Sequence, residues 1–235
     1  MKKFLVVFLM LCFLAPIVLF TDEDEQELPK ITTVQDIVDK MVKKFESIKT
    51  FVANFGIKAV VEGNLKKSSG EIKYRRPDTF IMIYKWPKDQ IIFSDGKLLK
   101  IYIPELNVVG EQRLETQYRS TFFISGKTSL YYLRSKYNFS FAKSNKPIMI
   151  GDMPYYVLKL EPKESLSEFK EIKLWVSKYW LIVKAEAETI GGTTITISFN
   201  QIKINKNLTE HEFEFNLPVN TQAIINPLLF DTRKE

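Results

Sequence analysis

Residues 75–105 read RRPDTFIMIYKWPKDQIIFSDGKLLKIYIPE, an arginine pair and a proline followed by two strongly apolar runs joined by a Ser-Asp-Gly turn. In the first run Phe80, Met82, Tyr84 and Trp86 alternate with Ile81 and Ile83, so both faces are apolar, and a strand apolar on both faces is covered on both faces. "KWPKD" and "SDGK" are turns on either side of "QIIFS", and "LLKIYIP" closes a meander at Pro104. Two architectures fit these residues. One is an ordinary sandwich core; the other is a curved sheet enclosing an apolar cavity lined by Tyr74, Phe80, Met82, Tyr84, Trp86, Ile91 and Phe93. Arg76 favours the second, because alternation places it on the face of Ile72 and Tyr74, and a guanidinium with five donors needs acceptors there. Backbone carbonyls of a helical cover would serve.

Outward from this meander the same grammar repeats. On its N-terminal side, Thr32 or Thr33 caps a helix in which Val34, Ile37, Val38, Met41, Val42, Phe45 and Ile48 recur at helical spacing. From Phe51 the period becomes two: Phe51, Phe55, Ile57 and Val61 share one face, Asn54, Lys58 and Glu62 the other, and "EGNLKKSSG" reads as a polar hairpin turn. Ile72, Tyr74 and Arg76 then oppose Glu71, Lys73 and Arg75. On the C-terminal side, "YRSTFFISGKTSLYYLRSKYNF" breaks the alternation and predicts two short helical pieces around a turn at Gly126. Strands resume with "PYYVLKLEP", "FKEIKLWVS", "WLIVKAEAE", "TTITISFNQIKI" and "HEFEFNLP". The expectation is a mainly β fold with helices, an open antiparallel sheet of about ten or eleven strands with an N-terminal helix.

The totals support one sizeable core. Of 235 residues, 45% are apolar and 13% aromatic. The opening "MKKFLVVFLMLCFLAPIVLF" pairs two lysines with an uncharged apolar run and is followed by "TDEDEQE", which reads as an export signal or an N-terminal anchor over 1–21, then an acidic flexible lead-in over 22–32. Removing residues 1–21 takes away two of the 34 basic residues and none of the 28 acidic ones, leaving +4 in place of +6. That excess is spread thinly, with no basic block to track a phosphate backbone, which argues against a nucleic-acid partner. The single cysteine, Cys12, falls in the apolar run, so the body from residue 22 onwards has no thiol for a disulfide or a metal. Residues 33–220 form one domain in this reading, and 221–235 a tail.

Residues with catalytic chemistry are sparse. His211 is the one histidine, and one imidazole without thiols assembles neither a triad nor a zinc site. There is no phosphate-binding glycine loop, no G-x-S-x-G and no H-E-x-x-H. Pairs such as Glu164 with Glu168, or Glu212 with Glu214, suit solvated faces better than acid-base work. No catalytic residue, metal site or cofactor is expected; a hydrolase would need an unexpected carboxylate pair or an activated serine.

The order of parts in "SSGEIKYRRPDTFIMIYKWPKDQIIFSDGKLLKIYIPE" resembles the bacterial lipoprotein-carrier proteins, the LolA-like family: a strand ending in Arg-Pro, then Phe and an aromatic strand, then apolar-Ser-Asp-Gly-Lys, then a strand ending x-Tyr-x-Pro. "YYVLKLEPK", "LWVSKYWLIVKAEAE" and "FEFNLP" follow in the expected order. The resemblance implies an open half-barrel whose apolar cavity is lidded by helices and takes up lipoprotein acyl chains for transport across the periplasm of a two-membrane bacterium. It implies Arg76 as the latch holding the lid closed, and Phe80 inside the cavity; Met82 stands where the family frequently has tryptophan. Phe122, Phe123 and Ile124, in a segment drawn from Tyr118 to Leu133, are the expected apolar underside of the lid. The implied partners are acylated lipoproteins, an inner-membrane lipoprotein-releasing complex and, where one exists, an outer-membrane lipoprotein acceptor, with the carrier itself a monomer. A lipid- or lipoprotein-binding sensor or membrane-tethered acceptor on the same fold is the alternative, and an uncleaved N-terminal segment would keep the chain at the inner membrane.

Overall fold

The computed structural model describes residues 33–87, 89–114, 126–164, 167 and 169–225. The expected signal and lead-in, Phe122, Phe123 and Ile124 of the expected lid, and residues 226–235 of the tail lie outside the described residues.

Helix α1 (Val34–Ser47) starts where its cap predicts. Thr33 is extended, its hydroxyl accepts from the Asp36 amide, and it donates to the Asp36 carboxylate at 2.6 Å. Such a cap is worth about 1 kcal/mol. Ile37, Val38, Met41, Val42 and Phe45 form the buried stripe, each contributing on the order of 1.5–3 kcal/mol by burial.

Among the described residues thirteen strands make one open sheet. They are β1 (Thr50–Val61), β2 (Asn64–Arg75), β3 (Thr79–Trp86), β4 (Ile91–Ser94), β5 (Leu98–Ile103), β6 (Val108–Arg113), β7 (Tyr137–Phe141), β8 (Ile148–Ile150), β9 (Met153–Pro162), β10 (Phe169–Ser177), β11 (Ile182–Thr189), β12 (Thr194–Ile204) and β13 (Gln222–Ile225). The spatial order is β13-β6-β5-β4-β3-β2-β1-β12-β11-β10-β9-β7, with β8 also beside β9. Every pair is antiparallel except β6 with β13. The two end strands do not meet, so the sheet is an open half-barrel. Helix α2 (Gly126–Lys136) joins α1 over its inner face, burying Leu130 and Leu133 in the same core cluster.

Four local expectations are corrected. "EGNLKKSSG" is mostly strand: the turn is only Glu62-Gly63, both at positive φ (51° and 78°), and β2 resumes at Asn64. Two left-handed residues give the primed hairpin turn whose twist matches the strands, and the polar run is the solvated end of a long hairpin. Gly126 begins a helix rather than a turn, and "YNF" opens β7, not a helical end. "HEFEFNLP" is a 3-10 turn, Glu210–Phe213, followed by irregular chain, its Thr209 and Glu212 forming a reciprocal capping box. Short β6, β8 and β13 raise the strand count because "NVVGEQR" and "IMI" are too short or too exposed to alternate.

The pairing register assigns each side chain to a face. Phe51 sits opposite Tyr74, Ala53 opposite Ile72 and Phe55 opposite Gly70; across the next ladder Tyr74 faces Phe80, Ile72 faces Met82 and Gly70 faces Tyr84. All line the inner face; Ala53, Phe55, Ile72, Tyr74, Phe80, Met82 and Tyr84 belong to one buried cluster with Ile37, Met41, Val42 and Phe45 of α1, and Phe51 packs against it. The outer face of the central strands is covered too, as the two-sided apolarity of β3 requires. Phe213 of the 3-10 turn is buried, and the Phe215 ring lies 5.7 Å from that of Phe93. Arg75 holds this strap by a forked pair to Glu210 at 2.7 and 2.9 Å, and its guanidinium stacks 4.8 Å from the Phe213 ring. Elsewhere the outer face carries ladders of opposite charge, among them Lys100 with Glu111, Lys170 with Glu188 and Lys173 with Glu171.

Candidate functional site

The residues Arg76-Pro77-Asp78 form the bend where β2 hands over to β3, directly under the C-terminus of α1. Arg76 is tied there twice. Its amide donates to the Lys49 carbonyl at 2.8 Å, and its Nη2 donates to the Phe45 carbonyl at 2.9 Å. Phe45 lies in the last turn of α1, where carbonyls are left over and the helix dipole is negative, so a cation is favoured at this point. The same carbonyl also accepts from the Ile48 amide.

Among the described residues the Arg76 side chain bonds to α1; residues 118–125 of the expected lid lie outside them. Helical spacing exposed the apolar stripe of α1 in the sequence, but nothing in sequence spacing shows which helix end meets the β2–β3 bend. Helix α2 is tied to α1 in turn by the Arg134 guanidinium, 3.3 Å from the Asp39 carboxylate.

Tyr74 stands next to this junction. Its hydroxyl donates to the Pro77 carbonyl at 2.9 Å. Burial pushes the phenol up to about 12, against the pull of the Arg76 charge and hydrogen bond. The Ser-Asp-Gly turn closes the site from the side. The Asp95 carboxylate accepts from the Lys97 and Leu98 amides, the buried Ser94 hydroxyl spans to Leu98, and Gly96 is left-handed at φ 90°. A Cβ on Gly96 would lie 2.7 Å from that of Asp78, so the two motif segments meet here.

Of the residues expected to line a cavity, Tyr74, Phe80, Met82 and Tyr84 are all on the inner face and all buried, Phe80 at 2% exposure. Three others are not on that face. Ile91 pairs with Ile83 and Phe93 with Ile81, and directly paired residues share a face, so both point outward. The inner positions of β4 are Ile92 and Ser94. Trp86 is 65% exposed, because the ladder slips between Ser69 and Gly70: Gly70 pairs with Tyr84 and Ser69 with Trp86, and the extra residue turns the indole to the outer face. Ile92, Leu99 and Ile101 are the inner-face residues that the sequence reading missed; the pairing of Ile92 with Met82 and Ile101, and of Ser94 with Phe80 and Leu99, places them there, and no sequence spacing fixes that register.

The inner face is thus a continuous apolar surface from Phe139 of β7 to Ile101 of β5, under α1 and α2. A separate cavity of about 240 Å³ opens at the β1–β12 bulge, lined by Val52, Ala53, Asn54, Glu71, Gln201 and Lys203. Its carboxylate, amides and ammonium make it unsuited to an acyl chain. Among the described residues no group of three or more His, Cys, Asp or Glu side chains is placed to hold a metal, and no helix is long and apolar enough to cross a membrane.

Residues 46–216 match the family model described as outer membrane lipoprotein carrier protein LolA. The chain belongs to this family. Curated relatives named outer-membrane lipoprotein carrier protein include one from Pseudomonas putida, 24% identical over 191 residues that cover 80% of this chain and 87% of the relative. Another, from Legionella pneumophila, is 28% identical over 193 residues, 81% and 90% of the two chains. Among solved structures, an uncharacterised conserved protein of Thermus thermophilus aligns with a TM-score of 0.55 at 11% identity, covering 83% of this chain and 99% of that one. MucB aligns with a TM-score of 0.51 at 15% identity, over 77% and 62%. At these identities the structural likenesses bear on the fold alone. The two segments singled out in the sequence, Arg76-Pro77-Asp78 and Ser94-Asp95-Gly96, lie together beside the end of α1.

Proposed function

We propose that this LolA-family protein is a periplasmic carrier, without catalytic activity, that takes up the acyl chains of lipoproteins at the inner membrane and delivers them to the outer membrane. The observation carrying this reading is the apolar inner face under α1 and α2, with the end of α1 tied to the sheet by a charged hydrogen bond from Arg76 to the Phe45 carbonyl. Burying a methylene is worth about 0.8 kcal/mol, so a multiply acylated protein does not leave a bilayer unaided. A carrier must offer equivalent burial and still release. Displacing α1 from Phe80, Met82 and Tyr84 would expose such a surface, and the hydrogen bond lost on opening would offset part of the binding energy.

In this reading the inner-membrane lipoprotein-releasing complex loads the carrier, an outer-membrane acceptor, where present, unloads it, and the carrier acts as a monomer. The test is a titration of the delipidated protein with a triacylated lipopeptide beside the same peptide without acyl chains. Saturable binding of the acylated form alone supports the carrier; binding of neither returns the inner face to the role of an ordinary core.

A further inference from the structure

Over β5, β6, β10 and β11 the outer face carries lysines paired with glutamates, and the far end of the β1–β2 hairpin differs. There Lys58 and Lys67 are direct cross-strand partners. Like charges placed opposite each other repel, and neither lysine forms an ion pair with a described residue. The nearest carboxylates along the sheet on the β11 side are engaged: Thr196, beside Lys58, is followed by Glu186, which pairs with Lys184 and Lys173, and Glu188 pairs with Lys170. Glu62 and Asp89 sit in the two adjoining turns, and Lys85 at the bulge is a further exposed cation.

The same patch is apolar where solvation would lead one to expect polar residues. Val60 and Leu65, the next cross-strand pair, are 39% and 54% exposed, and the Trp86 indole is turned out beside Ser69 by the bulge. An exposed tryptophan, two exposed aliphatic side chains and an unneutralised lysine pair on one strand end match an interface in which an indole sits at headgroup level and ammonium groups meet phosphates.

We propose that this end of the β1–β3 sheet docks on the surface of an anionic phospholipid bilayer, with Trp86 and Leu65 entering the headgroup region and Lys58 and Lys67 meeting lipid phosphates. The site is separate from the inner face. It would bring the protein to a membrane without inserting a helix from the described residues.

The experiment uses the full chain with vesicles of phosphatidylethanolamine and bromine-labelled phosphatidylglycerol, and reads tryptophan quenching. Wild type should be quenched, Trp86→Phe should lose that component of the quenching, and zwitterionic brominated phosphatidylcholine should not replace it. Lys58→Glu with Lys67→Glu should weaken the Trp86-dependent signal by roughly tenfold or more, and raised salt should do the same. Comparison with Trp86→Phe isolates this patch from any lipid contact made by the N-terminal apolar run. Quenching that is identical in wild type and Trp86→Phe overturns the proposal, as does quenching indifferent to lipid charge or to both lysines. The lysine variants should bind triacylated peptide as wild type does, so failure of this proposal is distinguishable from failure of the carrier reading.

Discussion

The Arg76 guanidinium donates to the Phe45 carbonyl at 2.9 Å, joining the end of β2 to the last turn of α1. The link is a charged donor on a helix C-terminus, worth about 1–2 kcal/mol where the site is partly buried. Arg76→Leu removes it while Phe45 keeps its bond from Ile48. If α1 is the cover, the closed form loses that increment and acyl-bound open protein gains it. The expected outcome is about tenfold tighter retention of a triacylated peptide, with the midpoint of thermal unfolding lowered only slightly. Unchanged retention by isothermal titration would remove Arg76 from the release step.

Phe80→Glu tests the inner face. Phe80 is 2% exposed and packs with Tyr74 and the α1 stripe, so a carboxylate there meets no water and disfavours both the closed cover and a bound acyl chain. Acyl binding should be abolished, while circular dichroism retains the sheet signal. Phe80→Ala is the milder companion, expected to keep reduced binding. Normal binding by a folded Phe80→Glu protein would move the acyl site away from β3.

Phe93→Ala separates the faces. Phe93 points outward and its ring lies 5.7 Å from Phe215 of the strap. The variant should lose about 2–3 kcal/mol in urea unfolding, as a large-to-small change in a packed but not fully buried site does, and should bind acylated peptide normally. Loss of binding at unchanged stability would contradict the register that places Phe93 outside.

How far the sequence could be read depends on which interactions are local. The helix over Val34–Ser47, the hairpins, the separation of Arg75 from Arg76 and the two-sided cover of β3 follow from cap chemistry and from periods of 3.6 and two, so they were legible. The face of β4 was not, because a shift of one residue exchanges Ile91 and Phe93 for Ile92 and Ser94, and only the pairing register decides it. Trp86 was misassigned for a related reason: a bulge interrupts the alternation that the sequence continues. The strap was read as a strand because His211, Phe213 and Phe215 alternate, yet Thr209 caps a 3-10 turn there. The partner of Arg76 was out of reach, since a main-chain carbonyl carries no sequence signature.

Gly70 records how tightly the inner face is built. A Cβ at this position would run into the Ile83 carbonyl oxygen and lie 2.8 Å from the Phe55 ring, which makes an edge contact with Tyr84 at 5.0 Å. Backbone cannot yield as a flexible side chain can, so Gly70→Ala should cost about 3 kcal/mol or more, or prevent accumulation of folded protein. Denaturant unfolding within about 0.5 kcal/mol of wild type would show that β2 and β3 do not pair in this register.

Tyr74 makes the junction sensitive to alkali. Its phenol is raised to about 12, chiefly by burial, from the ordinary value of 10.0. The unfolded chain therefore releases this proton first as pH rises, the folded state binds more protons between the two values, and stability falls with pH across that interval. The contribution is fully present below pH 10 and lost by about 12, a change on the order of 2 kcal/mol. Lysines titrate in the same window, so the measurement is the difference between wild type and Tyr74→Phe. The variant should lose about 1 kcal/mol near neutrality with the Pro77 hydrogen bond, and should lose less than wild type between pH 10 and 12, bringing the two stability curves together. Parallel curves through that window would mean that the Tyr74 hydroxyl reaches solvent, and that the Arg76 junction is open in the unliganded protein.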